Sequence, residues 1–177
     1  MILWINGAFG AGKSETAQRI HRKIPCSHLY DPEWVGTFLW EVFPASMRRK
    51  GDFQDIPAWR TINYEIIRYL CEHYHGDLII PMTITNAGYY REIVGRLQTD
   101  GVHVWHCILL ASGSTLQSRL LRRGERPGSW AERQIERCIK ALETMCADFK
   151  IETDCLGVDE VADRILTASG IRSQDMP

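Results

Sequence analysis

Eight residues near the amino end constrain this chain more than any other stretch: Gly7-Ala8-Phe9-Gly10-Ala11-Gly12-Lys13-Ser14. They follow the apolar run Ile2-Leu3-Trp4-Ile5 and open a segment with helical character. Glycines at this spacing let the backbone turn with its N–H groups directed inward, the lysine reaches outer phosphates, and the Ser14 hydroxyl suits a magnesium ion. The pattern reads as a phosphate-binding loop, with Gly7 to Ser14 and Glu15 as cofactor-binding residues and Ser14 as the metal ligand. A glycine-rich turn that binds nothing would have no use for a lysine at that position.

The rest of the chain repeats the order strand then helix about five times. Strands are expected near 2–5, 27–30, 78–83, 102–110 and 149–153. Helices are expected over 14–23, 34–43, 57–73, 89–97, after Ser112 and Ser114, as one long helix over 129–147, and over 158–168. Such alternation favours a three-layer α/β fold, a five-stranded parallel sheet flanked by helices, with ligands held beyond the carboxyl ends of the strands. With 177 residues and no linker rich in Gly, Pro or Ser, the expectation is a single domain over 1–177. A lid is expected at about 119–130. Arg48-Arg49-Lys50-Gly51-Asp52 reads as a mobile polar connection.

Bulk properties exclude several roles. Lys plus Arg number 21 against 22 for Asp plus Glu, so a net charge of -1 gives no reason to expect nucleic acid as a partner. The six cysteines are scattered without metal-type spacing and read as reduced thiols, which suits the cytoplasm. Met1 leads straight into a core strand, so no signal peptide is expected, and no apolar run approaches the length of a membrane span.

Asp31 is the carboxylate to single out after Lys13, because it leaves the second strand on the rim of the phosphate loop. It can take a proton from a substrate hydroxyl or hold a magnesium-bound water, although an Asp before Pro32 also makes a helix cap. Arg119, Arg122, Arg123 and Arg126 form a basic turn where a flap can neutralise a transferring phosphate, with Gly124 and Gly128 as hinges. For an acceptor pocket the sequence offers Trp34 and Phe38, the stretch from Phe53 to Trp59, and Arg60 with Tyr64. Aromatics at helical spacing are also ordinary core residues. No acidic residue follows the third strand at Pro81-Met82-Thr83, where many such enzymes place one; Thr83 or Thr85 can substitute only through a hydroxyl.

These residues carry a resemblance. Trp4 to Gly10 leading into Gly12-Lys13, Tyr30-Asp31-Pro32-Glu33, Asp52-Phe53-Gln54 with Trp59-Arg60 and Asn63-Tyr64, Ile80-Pro81-Met82-Thr83, and Ser129-Trp130-Ala131 with Gln134-Ile135 and Arg137-Cys138 together resemble the tunicamycin resistance proteins. That branch of P-loop small-molecule kinases shares its layout with shikimate-type enzymes. The resemblance implies ATP with magnesium, and protection against a uracil-containing nucleoside. Longer relatives continue past this chain's end, so membrane association is not carried over.

Two expectations follow. One is a kinase that phosphorylates a nucleoside-like small molecule, with Lys13, Asp31, Arg119, Arg123 and Arg126 as catalytic residues and Asp31, Trp34, Phe38, Trp59, Arg60, Tyr64 and Thr83 on the substrate. The other is an ATP-dependent module that sequesters the antibiotic unchanged. A guanine-nucleotide switch is disfavoured, since the chain has no Asn-Lys-x-Asp or Thr-Lys-x-Asp stretch.

Overall fold

Strand β1 (Ile2–Gly7) is buried along its whole length, and its alternation decides how the molecule is layered. Leu3 and Ile5 point into one apolar cluster, whereas Ile2 and Trp4 point into another. A strand buried on both faces needs a continuous apolar run, which explains why no polar residue interrupts Ile2 to Ile5. The computed structural model describes residues 1–47 and 51–171. Arg48-Arg49-Lys50, read from the sequence as part of a mobile connection, lies outside the described residues.

Helix α1 (Lys13–Lys23) follows, then β2 (Ser27–Leu29), α2 (Glu33–Val42), a 3₁₀ turn at Ala45–Met47 and another at Phe53–Asp55. Next come α3 (Pro57–His73), β3 (Asp77–Pro81), α4 (Ala87–Tyr90), a π-helical turn at Arg91–Gly95 and α5 (Arg96–Thr99). The chain continues through β4 (Val104–Leu110), α6 (Gly113–Arg122), α7 (Trp130–Arg133), α8 (Ile135–Thr144), β5 (Phe149–Glu152) and α9 (Val158–Ser169). All pairings are parallel, in the order β2-β3-β1-β4-β5.

One cluster gathers Ala17 and Ile20 of α1, Leu116 and Leu120 of α6, Cys138 and Leu142 of α8, and Ile165 of α9. The opposite cluster gathers Leu39 of α2, Trp59 and Ile67 of α3, and Val94 and Leu97 from the segment before β4. Both faces of the sheet are thus covered, as its apolar strands require. Among the described residues no helix is long and apolar enough to cross a membrane.

The sequence predicts one helix over 129–147, and the structure divides it. Gln134 donates its amide to Ala131 O (3.1 Å), a tightened turn that separates α7 from α8. The amphipathic pattern runs through the break, so its cause is tertiary: Trp130 on α7 is held against Phe9 of the phosphate loop, with ring centroids 5.1 Å apart.

Candidate active site

The loop between β1 and α1 is shaped by two glycines in the left-handed region, Gly10 (φ 84°) and Gly12 (φ 91°). A β-carbon on Gly10 would stand 2.9 Å from Leu116 O, so both backbone conformation and space demand glycine there. Around Gly12 a β-carbon would meet nothing within 4 Å, which leaves open space over the loop. No side chain caps the start of α1, so its first-turn amides stand ready for an anion. Ser14 and Glu15 are exposed beside them. The donor set and this cradle fit a triphosphate and its magnesium ion.

Lys13 Nζ donates to Ala8 O (3.0 Å) and lies 5.7 Å from the Phe9 ring centroid. Burial pulls the ammonium down to a pKa of about 8, and the Glu33 carboxylate acts in the opposite direction. A nearby phosphate would restore the proton, since opposite charge favours the charged form.

Asp31 and Glu33 stand on the same rim after β2. Asp31 Oδ1 accepts from the Glu33 amide (2.9 Å), which makes Asp31 a cap for the start of α2 as well as a candidate ligand. Glu33 keeps contact with solvent, yet burial of its carboxyl raises its pKa above the ordinary carboxylate value, and Asp31 adds to the rise while Lys13 opposes it. Sequence reasoning picked Asp31 and passed over Glu33, which read as a residue favouring a helix start. Glu33 lies four residues past Leu29, the end of β2, and nothing in its spacing marked it.

The arginines divide. Arg119 bridges two loops: its guanidinium donates to Thr153 O (2.6 Å) and Thr153 Oγ1 (3.0 Å) and reaches Ala11 O (3.5 Å). With Arg123, Gly10, Gly12, Thr153 and Leu156 it lines a 380 Å³ cavity beside the phosphate loop. Arg123 is exposed, and its charge acts on both Lys13 and Glu33. Arg126 lies in the exposed turn that precedes α7.

A second 380 Å³ cavity is lined by Phe9, Glu33, Trp40, Asp52, Phe53 and Trp130, among others. Its walls are mostly apolar, with Trp40 packed edge-on against Phe53 at 5.7 Å. An adjoining 330 Å³ cavity shares Asp52, Gln54 and Trp130 with it and adds Thr85, Tyr89 and Arg137.

Several residues expected around the acceptor lie elsewhere. Trp34 and Phe38 are 73% and 58% exposed, on the outer face of α2. Trp59 is fully buried in the core, its Nε1 donating to Pro32 O (3.0 Å). Tyr64 belongs to the opposite end of the sheet, where its hydroxyl bonds Asp100 ahead of β4 and Arg96 lies over its ring. Helical spacing placed Tyr64 with Arg60, but a full turn of α3 carries it away from the rim. Arg60 is buried and braces the neighbouring loop through Gln54 O (2.5 Å) and Glu92 (2.6 Å). Thr83 is buried too, and its hydroxyl donates to Gly7 O (2.8 Å), tying β3 to β1 beneath the loop. In place of these, the cavity walls use Glu33, Trp40, Asp52, Gln54 and Trp130.

A model of the AAA domain family matches residues 2–146. The sequence has no significant match among curated proteins. Among solved structures, the tunicamycin resistance protein of Deinococcus radiodurans is 30% identical with a TM-score of 0.82, the match covering 97% of this chain and 96% of that one. A sugar kinase from Janibacter sp. HTCC2649 is 15% identical with a TM-score of 0.69, covering 96% of this chain and 94% of that one. The Mycobacterium tuberculosis APS kinase in complex with AMPPNP and APS is 16% identical with a TM-score of 0.60, covering 96% of each chain. These last two share the fold. The 145-residue reach of the family model (2 to 146), together with the near full-length match at 30% identity, shows that the chain belongs to the AAA domain family and, within it, to the tunicamycin resistance proteins.

Proposed function

We propose that the protein binds ATP with magnesium at the loop of Gly7 to Ser14 and transfers the terminal phosphate to a hydroxyl of a nucleoside-like compound such as tunicamycin. The observation that carries this reading is convergence: the Lys13 ammonium, the Glu33 carboxyl and an apolar cavity meet on one rim, with Phe9 shared between loop and cavity wall. In the reaction the acceptor oxygen bonds to the terminal phosphorus, the bond to the bridging oxygen breaks, and ADP leaves. Glu33, which lines the cavity, takes the hydroxyl proton; Asp31, engaged with the Glu33 amide, orients it and would hold a water of the magnesium ion. Ser14 would hold the magnesium ion, which supplies charge neutralisation at the phosphates. Lys13, Arg119 and Arg123 address the phosphates, and the turn bearing Arg123 and Arg126 acts as a lid that excludes water. The protein works as one domain in the cytoplasm.

A second reading, capture without chemistry, draws support from Thr83: where an acidic residue often follows the third strand, this hydroxyl is spent on Gly7 O. Incubation with magnesium-ATP and tunicamycin, followed by mass spectrometry, separates the two. One added phosphate on the drug is the expected result. Unmodified drug retained at one equivalent would support capture instead.

A further inference from the structure

Beyond the rung from the Met82 amide to Ile5 O (3.0 Å), side chains carry the connection between β1 and the segment after β3. Asn6 Oδ1 accepts from the Ile84 amide (3.0 Å) while its Nδ2 donates to Ile84 O (2.8 Å), so one side chain holds both backbone groups of one residue. The same Oδ1 accepts from the Gly7 amide (2.9 Å), and the Thr83 hydroxyl donates to Gly7 O (2.8 Å). Both polar groups of Gly7, the first residue of the phosphate loop, are thereby engaged inside the protein. Packing closes on it as well: a β-carbon there would stand 3.0 Å from Ala11 Cβ and 3.1 Å from Leu109 O. Asn6, Thr83 and Ile84 are buried, where water does not compete for these bonds.

The same short segment builds the cavity walls. Thr83 O accepts from Gln54 Nε2 (2.8 Å), and Thr85 Oγ1 accepts from Arg137 (3.3 Å). Gln54, Thr85 and Arg137 all line the 330 Å³ cavity, and Gln54 and Met82 line the apolar one. Residues 83–85 therefore touch the phosphate loop on one side and the cavity walls on the other.

We propose that Asn6 and Thr83 are positioning residues, which set the distance between a phosphate held on the loop and an acceptor held in the cavities. This rests on the function proposed above and adds to it the part that aligns its two substrates. Neither side chain reaches a substrate, since both are buried; each acts through Gly7 and the 83–85 segment. Covering a strand end needs only packing, and a valine at position 83 would fill the same volume. Hydrogen bonds add direction, fixing Gly7 along the strand as well as across it. Transfer depends steeply on that placement, because a displacement of about 1 Å can cost about 10²-fold in rate. Binding of either substrate to its own walls does not depend on it.

Thr83→Val removes the hydroxyl at constant volume, and Thr83→Ser restores it. In Thr83→Val the kcat for phosphate transfer to tunicamycin is expected to fall about 10- to 100-fold. Affinities for ATP and tunicamycin, and ATP hydrolysis without acceptor, should stay within about threefold of wild type. Thr83→Ser recovers most of the lost kcat. Asn6→Asp, which keeps the two accepted amides but sets an oxygen against Ile84 O, should show the same split and serves where Thr83→Val does not fold. A second measurement needs no turnover: with manganese and AMPPNP on the loop, paramagnetic relaxation of the uracil protons of bound tunicamycin reports their distance from the metal. That relaxation is expected to fall in Thr83→Val at equal occupancy. Unchanged relaxation, unchanged kcat, or a loss of kcat matched by equal losses in ATP hydrolysis or affinity overturns the proposal. Wild-type protein that binds tunicamycin and transfers nothing counts against the proposed function alone, because relaxation still reads the placement. Wild-type protein that does not bind tunicamycin overturns both.

Discussion

The ammonium of Lys13 sits where burial and phosphate binding oppose each other. Because its pKa in the free protein is about 8, below the ordinary lysine value of 10.5, the unfolded chain binds the extra proton between these two pH values. Stability therefore gains from this group as pH rises through that window, whereas ATP binding, which favours the charged form, loses. Calorimetry is expected to show ATP affinity falling about tenfold between pH 7 and pH 9, with proton uptake on binding near pH 8. Lys13→Ala abolishes ATP binding and leaves the circular dichroism spectrum unchanged. The neighbouring carboxylates separate by their contacts. Glu33→Gln should lower kcat by about 10²- to 10⁴-fold with ATP affinity held within threefold, the range lost with a general base. Asp31→Asn should raise the magnesium concentration needed for half-maximal rate with stability little changed, because asparagine caps a helix start as well as aspartate does. If phosphate transfer in Glu33→Gln equals wild type, the proton goes elsewhere. Asp31 was legible because it directly follows a strand; Glu33 became legible only when the start of α2 turned its carboxyl toward Lys13.

Helix α7 is four residues long, and its position depends on one side chain more than on helix propensity. Ser129 Oγ accepts from the Glu132 amide (3.2 Å) to start it, and Trp130 on Phe9 fixes where it lies. An aromatic pair of this geometry contributes about 0.5–1.5 kcal/mol beyond its buried area. Trp130→Ala is expected to raise the acceptor KM about tenfold with kcat and global stability little changed, measured by steady-state kinetics and urea unfolding. It should also speed ATP hydrolysis in the absence of acceptor if the turn before α7 acts as the proposed lid, because that lid would close less firmly. Unchanged kinetics would show that α7 serves packing alone. The sequence displayed the apolar stripe of 129–147 and no reason for the break at Gln134, since that reason lies across the site in the phosphate loop.

At the scale of the whole molecule the sheet holds a polar cluster between its layers. Asn6 of β1 donates to Ile84 O (2.8 Å) and accepts from the Gly7 and Ile84 amides, which binds the strand end to the segment after β3. His106 of β4 is buried beside Asn6, 3.4 Å from its Nδ2, under the ring of Tyr90 and near Asp148, Cys146 and Lys150. Burial lowers its pKa to about 4, with Asp148 pulling the other way. The unfolded chain takes up the proton near pH 6.5 and the folded one only near 4, so the protein loses stability as pH falls through that interval, by about 3 kcal/mol for this group. Urea midpoints followed from pH 7 to pH 4 should drop in the wild type and flatten in His106→Gln; equal slopes would show that surface carboxylates dominate.

What the amino-acid order determined by itself was local or periodic. Glycines at fixed spacing impose the phosphate loop, unbroken apolar runs impose strands buried on both faces, and repeated strand-helix alternation imposes a parallel, covered sheet. Tertiary structure decided which side chains share a cavity. Asp52 comes from a loop, Glu33 from the start of α2 and Trp130 from the start of α7, and they meet only because the order β2-β3-β1-β4-β5 brings those segments to one rim. Trp59 and Tyr64, equally suggestive in sequence, were sent to the core and to the far end of the sheet, because helical spacing records neighbours along a helix but not the depth at which the helix is docked.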